Sequence, residues 1–205
     1  MREFVRQAIV LAIALSVPGI VRATDSWEVI TQRCKAGSLD DCNRLGTYHV
    51  TRQMNEPGAN SPDAIARDYK EAERFYTMAC DGGDAVGCYQ LGFLCTIGEL
   101  HGVTGGQARA HPLYKKACDG GSAEGCSNLA TDYESGYGVA KNTAVAAAYN
   151  KKAASLFQKG CDQGDSYQCT RSAFHLDRAA GLYREACQGG DKSSCDALIR
   201  LRSHT

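Results

Sequence analysis

Five pairs of cysteines, with the two members of each pair eight residues apart, constrain this chain more than any other feature. They are Cys34 and Cys42, Cys80 and Cys88, Cys118 and Cys126, Cys161 and Cys169, and Cys187 and Cys195. A shared text surrounds them, as in "YKKACDGGSAEGC" over 114–126 and "YTMACDGGDAVGC" ending at Cys88. Steps between the first cysteines are 46, 38, 43 and 26 residues. Self-similarity at such periods marks an array of stacked supersecondary units.

Each copy reads as helix, turn, helix. Before the first cysteine, apolar side chains fall eight, five, four and one residue upstream. Ala72, Phe75, Tyr76 and Ala79 form one such set; Ala110, Leu113, Tyr114 and Ala117 another; Ala179, Leu182, Tyr183 and Ala186 a third. Gaps of three and four mark one face of a helix, here named helix B. Three residues after the first cysteine stands a glycine: Gly37, Gly83, Gly121, Gly164 or Gly190. Glycine accepts the left-handed conformation in which helices commonly end. Ser38, Asp84, Ser122, Asp165 or Asp191 follows, all good N-caps for a new helix A. Three residues past the second cysteine come Leu45, Leu91, Leu129, Ser172 and Leu198. The next position holds Gly46, Gly92, Ala130, Ala173 and Ile199, mostly small residues that let helices approach closely. No period-two alternation of useful length occurs, so the class is all-α.

The A-to-B connections are uneven: Asn55–Asp63, Gly98–Gln107, Ser135–Asn142, and almost nothing around His175 to Asp177. Pro112 falls where helix B of its unit should run, so that helix kinks or starts there.

With the first cysteine in the last turn of B and the second early in an antiparallel A, the two alpha carbons come within disulfide reach. A bridge closing so short a loop contributes about 2.5 kcal/mol in the chain-entropy estimate. A metal reading competes, but structural zinc sites bring ligands two to four residues apart in sets of four, and C-x-x-C is missing. Redox work of the thioredoxin kind needs C-x-x-C as well. The spacing favours staples, with no metal and no cofactor. Cys95 is the eleventh cysteine. It shares a helix face with Leu91 and Gly92, at the place Tyr133 holds in the next unit, and reads as a core-filling free thiol; an intermolecular bridge or a reactive thiol is the alternative.

Residues 1–23 have the layout of a signal peptide: Arg2 and Arg6, an apolar run over 8–17, and small residues Val21 and Ala23 before a cut. The run is too short for the ~20 residues that span a bilayer, the requirement for the alternative of an uncleaved anchor. A domain of residues 24–205 remains, with 20 basic and 22 acidic side chains once Arg2, Arg6, Arg22 and Glu3 are removed. No basic block survives, which argues against nucleic acid and anionic membrane surfaces. Export to an oxidising compartment, periplasmic or extracellular, agrees with the cysteine content.

Catalytic signatures are missing. No serine is followed by lysine three residues on, and K-T-G, S-D-N, G-x-S-x-G and H-E-x-x-H do not occur. Of the five histidines, His101 and His111 flank a glycine-rich loop and read as solvated. Asp40 and Asp41 sit at a helix start, where the helix dipole accounts for them.

The C-x7-C spacing, the "YKKAC" helix end, the LG tracts and "YESGYGV" over 133–139 resemble Sel-one-like repeats, relatives of tetratricopeptide repeats. The cysteine-bearing form resembles the Helicobacter cysteine-rich proteins and the cysteine-rich cytochrome oxidase assembly factor. The resemblance runs from about Ser26 to Leu201 and implies a right-handed α-solenoid of about five hairpins, each C-x7-C pair closed as a disulfide. It also implies a concave face that binds a protein or peptide. Relatives act in the envelope, some as immunity or assembly factors, and some carry a β-lactamase or penicillin-binding label that no motif here supports. In such a solenoid helix A lines the concave face. Positions one, two, five and six past the second cysteine should then be exposed, including Arg44, Tyr48, Tyr89, Gln90, Phe93, Asn128, Asp132, Arg171 and Phe174.

Overall fold

A computed structural model of the chain describes residues 26–55 and 61–202; the signal peptide expected over residues 1–23 lies outside them. Nine α-helices follow one another among the described residues: α1 (Trp27–Lys35), α2 (Leu39–Asn55), α3 (Pro62–Asp81), α4 (Ala85–Ile97), α5 (Gly106–Asp119), α6 (Ala123–Ser135), α7 (Thr143–Cys161), α8 (Ser166–Gln188) and α9 (Lys192–Arg202). A short 3-10 turn, Gly98–His101, joins α4 to α5. No strand occurs among these residues, and each helix packs mainly on the one before and the one after it. None of the helices is long and apolar enough to cross a membrane.

The repeated turn has one construction. Gly37, Gly83, Gly121, Gly164 and Gly190 all have φ between 91° and 102°. The next residue then donates its N–H back to the carbonyl five residues upstream, as Asp84 does to Ala79 and Ser122 to Ala117. This is the glycine-terminated Schellman arrangement. The same next residue caps the following helix. Asp84 accepts from the Val86 amide, Ser122 from Gly125, Asp165 from Tyr167 and Gln168, Ser38 from Asp41, and Asp191 from Ser193. So tight a reversal brings the paired cysteines to Cα–Cα distances of 4.4–4.8 Å, and all five pairs are disulfides.

Within a repeat, the A and B helices meet at the small residue four past the second cysteine. Gly46 lies under the Tyr76 ring and Gly92 under Tyr114. Each tyrosine hydroxyl then bonds a threonine on helix A, Thr47 or Thr96, at 3.1 Å. The third repeat has Ala130 and Phe157 in these places, both buried. The buried side chains form three clusters along the array. That division fits a chain of nearest-neighbour contacts, in which each unit leans on its neighbours.

Two expectations change. The short connection at His175–Asp177 is no connection at all: α8 is one helix of 23 residues, so the last A and B segments are fused. Ala173 is therefore exposed, because no B helix folds back over it. Pro112 neither starts its helix nor ends it, since α5 begins at Gly106. Pro112 and Ala108, whose carbonyl loses its helical partner, are both exposed.

Candidate binding face and its geometry

The A helices α2, α4 and α6 and the first half of α8 present equivalent positions to one side of the array. Two before, two after and five after the second cysteine stand Val86, Gln90 and Phe93 on α4, then Glu124, Asn128 and Thr131 on α6, then Tyr167, Arg171 and Phe174 on α8. Val86, Phe93, Tyr167 and Phe174 are 51%, 41%, 63% and 58% exposed, large values for such side chains. Tyr89 on α4 is pushed up in pKa first by burial and then by Glu124 on α6, while Arg171 on α8 pulls it down.

At the N-terminal end the same face holds a recess of about 390 Å³. Its lining comes from α1 (Trp27), α2 (Arg44, Thr47, Tyr48) and α4 (Val86, Gln90), among others. Trp27 stacks on Tyr48 with ring centroids 4.0 Å apart and keeps 45% of its surface exposed. Trp27 and Val86 were not among the residues expected from sequence. Trp27 precedes the first cysteine pair, and its place on the A face arises only because α1 folds against α2.

Of the expected face residues, Arg44, Gln90, Phe93, Asn128, Arg171 and Phe174 lie on the face; Tyr48 and Tyr89 are half-buried at its edge. Asp132 does not belong there. It is 2% exposed and bonded at 3.0 Å to His111 Nδ1 on α5. The position six past the second cysteine turns inward throughout the middle of the array, at Leu94, Asp132 and His175. Burial drives the Asp132 carboxyl up to about 6, against the opposing pull of His111.

The four histidines among the described residues are not solvated loop residues. His111 reaches Asp132, while His101 tilts against Tyr69 at 4.5 Å, so the two do not meet. His49 bridges α2 to Asp68 on α3, which also receives Arg52. His175 is buried between Phe157 and Phe174, with Nδ1 2.8 Å from Asn150 Oδ1 on α7. Asn150 gives its amide hydrogen to Ala146, so its oxygen accepts and the imidazole donates from Nδ1. His175 Nε2 is buried without a partner. Burial, reinforced by Arg171 and Arg178, lowers this histidine to about 4.

Asp41 is more than a helix-start acid. It is 3% exposed, and burial alone would raise its pKa; hydrogen bonds from Arg33 and Ser38 and the charges of Arg33 and Arg44 hold it below the usual range. Cys95 is fully buried on α4, and burial raises its thiol pKa. Among the described residues no group of three or more His, Cys, Asp or Glu side chains could hold a metal.

A family model for the Sel1 repeat matches three consecutive stretches, residues 40–84, 85–122 and 123–165. The chain belongs to the Sel1 repeat family. Each Sel1 repeat here runs helix A, connection, helix B, so the disulfides cross repeat boundaries. Cys80 lies in the first matched repeat and Cys88 in the second; Cys118 and Cys126 join the second to the third. A search of the curated proteins finds no match. Among solved structures, a Sel1 repeat protein from Oxalobacter formigenes is 23% identical at a TM-score of 0.50, covering 70% of this chain and 94% of its own. Another is c5321, a protective antigen present in uropathogenic Escherichia coli strains and displaying an SLR fold. It is 20% identical at a TM-score of 0.51, and the match spans 87% of this chain but 44% of that one. Both likenesses concern the fold.

Proposed function

We propose that this Sel1 repeat protein is an exported scaffold that binds a protein or peptide partner through the concave face of its A helices. The observation that carries the reading is the placement of its exposed large apolar side chains. Of the eight large apolar side chains exposed among the described residues, five lie on that one face: Trp27 from α1, Val86 and Phe93 from α4, and Tyr167 and Phe174 from α8. Exposed apolar surface gathered on one side marks an interaction site, and Trp, Tyr and Phe are favoured there. Five disulfides in about 180 residues support an oxidising compartment, periplasmic or extracellular, after cleavage behind Ala23.

Affinity capture from an envelope extract tests this, comparing the native face with a Trp27→Ala, Phe93→Ala, Phe174→Ala variant. A partner retained saturably by the first and lost by the second is the expected result. Equal recovery by both would place binding elsewhere on the molecule.

A further inference from the structure

The recess at the N-terminal end of the face is built on α2. Arg44, Tyr48 and Thr51, with Asn43 and Thr47 beside them, line it as one stripe at helical spacing. From 43 to 51 the stripe runs about 12 Å along the helix. Tyr48 ties α2 to α1 through the Trp27 stack, and Asn43 ties it to α4 by donating its amide hydrogen to Asp84. Trp27 therefore closes the recess from α1, and Val86 and Gln90 close it from α4. A volume of about 390 Å³ is at the small end for a binding pocket. An extended chain advances about 3.3 Å per residue, so 12 Å takes about four residues.

Two chemistries share this recess. One is apolar: Trp27 keeps 45% of its surface exposed although Tyr48 covers one side of it, and Val86 is 51% exposed. The other is a single cation. Arg44 is the only lining side chain that is charged at neutral pH. It spends one terminal nitrogen on Asp41 at 3.1 Å. Asp41 also accepts from Nε and a terminal nitrogen of Arg33, so one carboxylate serves two guanidinium groups. Among the described residues Arg44 makes no second hydrogen bond, and the Gln90 amide makes none. A guanidinium held at one edge, with donors unspent, is prepared for an incoming carboxylate.

The helix sets the distance between the two. Arg44 and Tyr48 are four residues apart on α2, about 6 Å along its axis. Side chains at i and i+2 of an extended chain share one side and lie about 6–7 Å apart. An aromatic ring gains edge or face contact with the indole that an aliphatic chain does not.

We propose that the recess seats an aromatic side chain from an extended segment of a partner protein against Trp27 and Val86, with a carboxylate two residues away from it on Arg44. The proposal rests on the A-helix face being the binding face, and it adds the chemistry that the N-terminal end of that face selects.

Trp27 is the one tryptophan of the chain, so its emission reports on this recess. The oxidised protein is titrated with the capped tripeptides Phe-Gly-Glu and Glu-Gly-Phe, with their Gln counterparts, with Leu-Gly-Glu and Glu-Gly-Leu, and with chitotriose. One Phe–Glu peptide should change the emission saturably, with a dissociation constant about tenfold below that of its Gln counterpart. High salt should narrow that ratio. Arg44→Gln should remove the ratio, and Val86→Asp should weaken binding of the Glu peptide about tenfold. The Glu–Gln comparison on the native protein stands even where Arg44→Gln disturbs Asp41. Equal binding of Glu and Gln peptides, equal binding of Leu and Phe peptides, or a response to chitotriose alone would each overturn the proposal. So would an unchanged emission with every probe. The binding face then stands if capture of a partner from extract is still lost in a Phe93→Ala, Phe174→Ala variant; capture indifferent to those substitutions as well would overturn both readings.

Discussion

Gly46→Ala is a severe test of how the repeat is held together. An alanine methyl at this position would lie 2.5, 2.6 and 2.8 Å from three carbons of the Tyr76 ring. The ring cannot swing aside freely: Tyr76 is 3% exposed and its hydroxyl bonds Thr47. Overpacking of this kind costs about 1–3 kcal/mol, and losing the tyrosine hydrogen bond about 1 more. Against that, alanine in a helix interior gains about 1 kcal/mol over glycine. The net expectation is a loss of about 1–3 kcal/mol, or a melting midpoint lower by about 3–9 °C in a chain of this size. Gly181→Ala is the control. Gly181 lies inside α8 with nothing within 4 Å of an added methyl. There only the helix-propensity gain operates, and the midpoint should rise by about 2 °C. Circular dichroism melts of both oxidised variants read the two signs. Midpoints that move in the same direction would refute the argument that glycine is required by close helix approach.

Replacing Cys118 and Cys126 together by alanine should cost about 2–3 kcal/mol in urea titrations, from a closed loop whose ends are 8 residues apart. A maleimide reagent should leave Cys95 unmodified in the folded protein and label one thiol per chain after denaturation without reductant, since this buried cysteine is free. Acid should weaken the α7–α8 contact. His175 has a folded pKa of about 4 against an ordinary 6.5, so the folded state binds fewer protons between those values and stability falls as pH drops through that window. Its full extent is about 2–3 kcal/mol by pH 4, and a His175→Gln variant should lose that dependence in melts at pH 7 and 4.5. Asp132, raised to about 6, acts in the opposite direction, stabilising the fold as pH falls from 6 toward 4; Asp132→Asn should therefore make the native acid sensitivity steeper.

Much of the architecture is local and therefore legible. Glycine three after a cysteine and a capping residue next to it decide the turn within six residues, and the turn alone places both cysteines. The B-helix stripes likewise reappear as buried residues, with Ala72, Ala79, Ala110, Ala117 and Ala179 fully covered. The binding face was legible only in part. Positions two and six past the second cysteine differ by about 40° around a helix of 3.6 residues per turn, too little for sequence to separate. Packing separated them, leaving Asn128 on the face and burying Asp132 under His111.

The sequence by itself determined the period, the turn, the five cysteine pairings and the all-helical class, because each depends on residues close together in the chain. Tertiary structure alone decided that α8 runs unbroken, that Trp27 joins a recess with Gln90, and that Asp132 turns inward to His111. Those outcomes depend on how helices far apart in the chain fit together, as Gly46 fits Tyr76 and Gly92 fits Tyr114 across helices. A helix carries its own period, but the neighbour that covers each edge of it is chosen by packing.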